Sequence, residues 1–314
     1  MYYFIYLLFG KRNETLQSEL VYSLLSFDKI ADDRSKKTIR FLIYTETGFV
    51  LPESLNGLQV SFSRLDPDEI EEALRKTDGH SLVLKAIVVA DFLARFKACG
   101  ILVDTDTFFI RDPCPLFEKI RDGYSLMHLK EYPISRMPEL VSFFTANSFK
   151  RPDGDSFNII PAFHMWNSGV VGVKQGDDSL LEKIICLIQQ ISTRKAWPRE
   201  YRRFIEQTAY SYYLGQRQDK LLSAENYIVH YWFFKEGRLL LGNYFRYFHG
   251  FDDLEFREIL KLKNVRSEDL AGIPYQALPA LMVGLMKKFS LVREYHYDSL
   301  PENTHIGKIL RNLS

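Results

Sequence analysis

Through the first hundred residues, short apolar runs alternate with segments of helical periodicity. That alternation restricts the chain to an α/β fold built on a mainly parallel sheet. Residues 2–9 read as a strand, after which Leu16, Leu20, Val21, Leu24 and Leu25 recur at helical spacing, with Asn13 placed to cap the helix. Residues 38–45 form a second strand and 58–65 a weaker third. Residues 68–76 read as a charged, solvent-facing helix, and 82–97 as a longer one leading to a strand that ends at Asp104. Beyond it the pattern turns to mixed strands at 124–129, 163–173 and 227–233, with an amphipathic helix carrying Leu180, Leu181, Ile184, Ile185, Ile188 and Ile191. Residues 133–161 read as a long irregular stretch of the kind that forms a lid or binding loop. From Asp252 onward the segments look helical, without an internal repeat or a Pro/Gly/Ser linker.

A chain of 314 residues, 46% hydrophobic, can bury a large core, as one big α/β domain or as a domain with an appendage. Its 41 basic and 40 acidic residues leave a net charge of +1, with no electrostatic footprint for nucleic acid. Cys99, Cys114 and Cys186 are too scattered for a disulfide framework or a cysteine-based zinc site. They read as buried thiols in a reducing, cytoplasmic compartment. The apolar N-terminus lacks the basic start and small-residue cleavage site of a leader, so it reads as a buried first strand. No apolar run approaches the ~20 residues that would span a bilayer.

The stretch "GILVDTDTFFIRDP", residues 100–113, carries an apolar strand straight into two acids. A turn accounts for one aspartate, since its side chain can bond the backbone two positions on. If the extended backbone continued, Asp104 and Asp106 would sit side by side on one face, where like charges repel unless a cation lies between them. Mg2+ and Mn2+ take such oxygen ligands readily. The spacing alone leaves both readings open: a strand terminus, or a metal-binding pair.

An apolar strand ending in D-x-D after several βα units resembles the nucleotide-sugar glycosyltransferases of GT-A fold, in particular the glycogenin and lipopolysaccharide-galactosyltransferase group, family 8. Three further stretches match that group in order. "FHMWNSGVVGVK" (163–174) carries Asn167, Ser168 and Gly169, where the resemblance implies close approach of backbone, amide and hydroxyl to a sugar. "FIEQTAY" (204–210) carries Glu206 and Gln207, implied to face the reacting sugar as its catalytic groups. "VHYWFFK" (229–235) carries His230, implied as third metal ligand beside Asp104 and Asp106, and Lys235, implied to reach the diphosphate. Lys235 stands five residues after the histidine, where the family has six, and the family's intervening glycine and following Pro-Trp are absent. His249 is a rival ligand. The resemblance further implies that Lys85 lies near the nucleotide phosphates, and that Phe9, Gly10 and Lys11 border the uracil.

The architecture implied by the resemblance is a Rossmann-like mixed sheet flanked by helices: a GT-A catalytic domain over residues 1–250 and a helical C-terminal extension over 251–314. The implied activity is metal-dependent transfer of a hexose, with retention, from UDP-glucose or UDP-galactose to a glycan or glycolipid acceptor. Mn2+ or Mg2+ is the implied cofactor. Two alternatives from other classes are a haloacid-dehalogenase-type phosphatase using Asp104 and Asp106, whose motif fails at Phe108, and a catalytically silent sugar-nucleotide-binding protein. A nucleotidyltransferase would want a glycine-rich loop where "FGKRNET" offers one glycine. Lys287, Lys288, Arg293, Lys308 and Arg311 among aromatic residues suggest either peripheral membrane contact or accessory helices.

Overall fold

The computed structural model describes residues 1–10, 13–46, 50–217 and 220–232. Lys11, Lys235, His249 and the entire 251–314 extension with its basic-aromatic residues lie outside the described residues. In chain order the elements are β1 (Tyr2–Leu8), α1 (Asn13–Ile30), α2 (Asp33–Thr38), β2 (Ile39–Thr45), β3 (Val60–Ser63), α3 (Pro67–Lys76), α4 (Val83–Phe96), β4 (Cys99–Val103) and β5 (Thr107–Phe109). Then come α5 (Cys114–Arg121), β6 (Ser125–Met127), β7 (Lys130–Pro133), α6 (Pro138–Ala146), β8 (Ser148–Lys150), β9 (Ser156–Asn158), β10 (His164–Trp166) and β11 (Val170–Val173). The last are α7 (Asp178–Ser192), α8 (Ile205–Gly215), β12 (Leu221–Ser223) and β13 (Ile228–His230).

Seven strands form one mixed sheet in the order β12-β6-β11-β4-β1-β2-β3. The four strands β3, β2, β1 and β4 run parallel, whereas β11 runs antiparallel to both β4 and β6. β1 is an interior strand, between β4 and β2, and is covered on both faces, which is why its sequence is a nearly unbroken apolar run. Its side chains alternate: Phe4, Tyr6 and Leu8 join α1, β5 and α5 on one face, while Tyr3 and Ile5 join α4, α7 and α8 on the other. Gly100 in β4 lets α4 pack close, because a Cβ there would stand 2.5 Å from the Phe92 ring. α3 starts with Pro67 in its first turn, behind Asp66, which accepts the Asp68 amide at 2.8 Å. No described helix is long and apolar enough to cross a membrane.

Three departures from the sequence reading have physical causes. The run at 163–173 is two strands in different sheets: β10 pairs with β7 in a small ribbon and β11 joins the main sheet, with Asn167–Gly169 turning the chain between them. The stretch 133–161 is not irregular throughout but holds α6 and the β8–β9 hairpin. α6 is short and two-thirds apolar, so its periodicity is too brief to stand out, although Pro138 marks its first turn. The three cysteines are half-buried thiols rather than buried ones.

Candidate metal and ligand site

β1 and β4 end at the same edge of the sheet, the edge where open α/β sheets take ligands. A cleft of about 470 Å³ opens there, lined among others by Phe9, Lys85, Asp104, Asp106, Glu206 and His230. β4 gains one further rung when the Asp104 amide donates to the Gly169 carbonyl at 2.8 Å. The backbone then bends instead of running on extended, and the Thr107 hydroxyl fastens the bend to the Asp104 carbonyl at 2.7 Å. The two carboxylates therefore meet through a turn, while Thr105 between them donates to the Glu19 carboxylate at 2.8 Å.

His230 reaches this turn because β13 pairs antiparallel with β5, setting His230 opposite Thr107. The Tyr231 amide adds a bond to the Asp106 carbonyl at 3.0 Å. His230 Nε2 lies 3.2 Å from Asp106 Oδ1 and 3.7 Å from Asp104 Oδ2. Its Nδ1 lies 2.7 Å from Asn167 Oδ1, which also accepts the Gly169 amide at 3.0 Å. An oxygen already accepting one N–H is assigned as acceptor for the other, so Nδ1 carries the imidazole proton. Burial pushes the ring's pKa down to about 4, against the opposing pull of Asp104. A neutral ring with its proton on Nδ1 turns the Nε2 lone pair toward two carboxylates. Asp104, Asp106 and His230 thus converge as lone-pair donors, and Asp104 Oδ2 also accepts from Lys85 Nζ at 3.1 Å.

The donor atoms of Asp104, Asp106 and His230 lie within 4.8 Å of one another. Two carboxylate oxygens and one imidazole nitrogen suit a divalent ion such as Mn2+. The residues fit the group.

Lys85 sits on the buried face of α4, its side chain only 8% exposed. Its Nζ stands 2.9 Å from Asp104 Oδ1, donates to the Ser168 carbonyl at 3.0 Å, and lies 3.5 Å from Glu206 Oε1. Burial draws this ammonium down, but Asp104 and Glu206 together hold its pKa above the ordinary lysine value. Glu206, 1% exposed, accepts from the Ser168 hydroxyl at 2.8 Å, and burial raises its carboxyl pKa against the pull of Lys85. Gln207 turns the other way and donates to Glu131 Oε2 at 2.7 Å.

Asp104, Asp106, His230, Lys85, Asn167, Ser168, Gly169, Glu206 and Gln207 thus all line one cleft. Several do so with partners the sequence did not foretell. Asn167 holds the His230 ring, Ser168 holds Glu206, and Glu206 is turned toward Lys85. Gly169 is required by the histidine: a Cβ there would stand 2.1 Å from His230 Nδ1. Glu131, which accepts from Gln207 and at 3.4 Å from Asn167, was not legible in the sequence. It arrives through the pairing of β7 with β10, and nothing local marks it. Glu19 carried a faint signal, an acid beside the apolar positions of α1.

No protein-family model matches the chain, and no curated protein sequence does. Among solved structures it overlaps mouse xyloside xylosyltransferase 1, apo form, with a TM-score of 0.41 and 14% identity, over 71% of this chain and 85% of that one. It also overlaps the apo structure of WbbM, a bifunctional glycosyltransferase, with a TM-score of 0.38 and 10% identity, over 71% of this chain and 38% of that one. Overlaps this partial leave the chemistry to be argued from the chain's own residues.

Proposed function

We propose that the chain is a metal-dependent glycosyltransferase of GT-A fold that moves a hexose, with retention, from UDP-glucose or UDP-galactose to a glycan or glycolipid acceptor. One observation carries the reading: two carboxylates and a neutral imidazole converge on one point at the ligand-binding edge of an α/β sheet, with a buried ammonium beside them. Asp104, Asp106 and His230 are the residues that would hold Mn2+ or Mg2+. Such an ion, when bound, supplies Lewis-acid neutralisation of the charge that builds on a departing diphosphate.

The chain's own groups have defined parts in this reading. Lys85 adds a fixed positive charge in a water-poor site, where electrostatic stabilisation is strongest. Asn167 sets the tautomer and orientation of His230. Gln207 is the group nearest the reacting carbon, with its amide fixed by Glu131. Glu206 stands behind it and keeps Lys85 charged and in place. Phe9, which lines the cleft at the end of β1, borders the base.

Calorimetric titration of UDP with and without Mn2+, repeated on Asp106→Asn, tests the reading. Metal-dependent binding that disappears in the variant is expected. Absence of UDP binding in both conditions would sink it.

A further inference from the structure

Among the described residues the carboxylates that line the cleft are Glu19, Asp104, Asp106, Glu131 and Glu206. Asp104 and Asp106 belong to the group that could hold a metal, Glu206 faces Lys85, and the buried Glu19 accepts from the Thr105 hydroxyl. Glu131 fits none of these descriptions. It stands half-buried on β7 and, among the described residues, forms no ion pair. The cleft's cations are turned elsewhere: Lys85 toward Asp104 and Glu206, and Arg203 over the Phe204 ring at 4.8 Å.

What holds Glu131 is a pair of neutral side-chain amides. Gln207, from the head of α8, donates to Oε2 at 2.7 Å, and Asn167, from the turn between β10 and β11, donates to Oε1 at 3.4 Å. A carboxylate has about four lone-pair sites, two on each oxygen, so each oxygen keeps one after accepting its amide. A charge drawn partly out of water without a counter-charge needs hydrogen bonds, and hydroxyl groups are neutral donors that make strong ones to it. The position of Glu131 narrows the source of those hydroxyls. On one side Asn167 ties it to His230, whose ring nitrogen lies 2.7 Å from Asn167 Oδ1; on the other it grips Gln207, the group assigned nearest the reacting carbon. The stretch between the metal-binding trio and Gln207 is where the sugar of a metal-held nucleotide sugar lies.

We propose that Glu131 binds the transferred hexose directly, accepting from two neighbouring hydroxyls of its ring, one on each carboxylate oxygen, and so determines which sugar the cleft takes. This rests on the transferase reading and deepens it. Asp104, Asp106, His230 and Lys85 surround the place of the diphosphate, which every nucleotide sugar of the class carries. Glu131 reads the hydroxyls, which is where those donors differ.

Calorimetric titration of UDP, UDP-glucose and UDP-galactose, each with Mn2+, into the full chain and into Glu131→Gln tests this. The variant keeps an oxygen for the Gln207 amide, and melting curves check its folding. Glu131→Asp, which keeps the charge but draws it back by one methylene, is the second variant. The quantity read is the ratio of affinities for a UDP-hexose and for UDP, because a merely structural role would weaken both ligands together. At least one hexose is expected to add affinity over UDP in the wild type, and that ratio to fall about tenfold in Glu131→Gln, the loss of a charge-assisted contact. In Glu131→Asp it should fall by less. A ratio that neither substitution changes would overturn the proposal while leaving the transferase reading in place, and so would a wild type in which neither hexose adds to UDP. Absence of UDP binding to the wild type would bring down the transferase reading, and the role of Glu131 with it.

Discussion

Two halves of one buried polar cluster meet at Asp104, and they differ in electrical completeness. On one side an ammonium, Lys85, faces two carboxylates and the Ser168 carbonyl, and the Ser168 hydroxyl donates to Glu206, whose Oε1 has, among the described residues, only the ion pair with Lys85 at 3.5 Å. On the other side Asp106 and the Nε2 of His230 approach Asp104 as electron-pair donors. The first half is closed in that it holds its own cation. The second is open in that its donor atoms could hold an added one, and the proposed reading makes it the half that takes the ligand.

Removing the cation of the closed half has the largest expected effect. Lys85→Ala strands Glu206 as a buried carboxylate and should cost about 3–5 kcal/mol in urea unfolding. Adding Glu206→Gln should recover part of that loss, and failure to do so would mean the halves are not separable. Acid comes next. Burial pushes His230 down to about 4 and His128 down to about 3, whereas both titrate near 6.5 unfolded. The unfolded chain therefore binds more protons below pH 6.5, so stability is full above that pH and falls as the pH drops toward 4 and then 3. A shift of the size at His230 corresponds to about 3 kcal/mol, and His230→Gln should flatten that part of a pH series of melts.

Loading the open half should stabilise the fold by about 2.7 kcal/mol when Mn2+ is present at a hundred times its Kd. Asp106→Asn should abolish that gain in thermal shift. A metal response that survives the substitution would place the ion elsewhere. Gly169→Ala, whose methyl meets the His230 ring, should cost about 1–3 kcal/mol while weakening the Mn2+ response.

The fold's parallel core was legible because β1, β2 and β4 are covered on both faces and must be apolar throughout. Asp104 and Asp106 were legible because two acids ending such a strand need a reason, and His230 because a family pattern placed it. The geometry between them was not: the carboxylates converge by a bend that the Thr107 hydroxyl fixes, where an extended strand was expected. Asn167, Ser168 and Gly169 were identified as a group, yet their partners are His230, Glu206 and Lys85, and sequence spacing says nothing of contacts between distant strands. Glu131 was invisible for the same reason, since only the β7–β10 ribbon brings it to Gln207.

The short ribbon between β5 and β13 has a consequence for synthesis. It joins an early segment of the chain to one emitted much later, and such a closure waits for everything between. A ribosome-bound chain that stops at α8 already carries both aspartates but not the histidine. On the proposed reading, affinity for a divalent ion should therefore appear abruptly, only once the segment through Tyr231 has emerged and docked, making ion capture a reporter that the β5–β13 ribbon has closed.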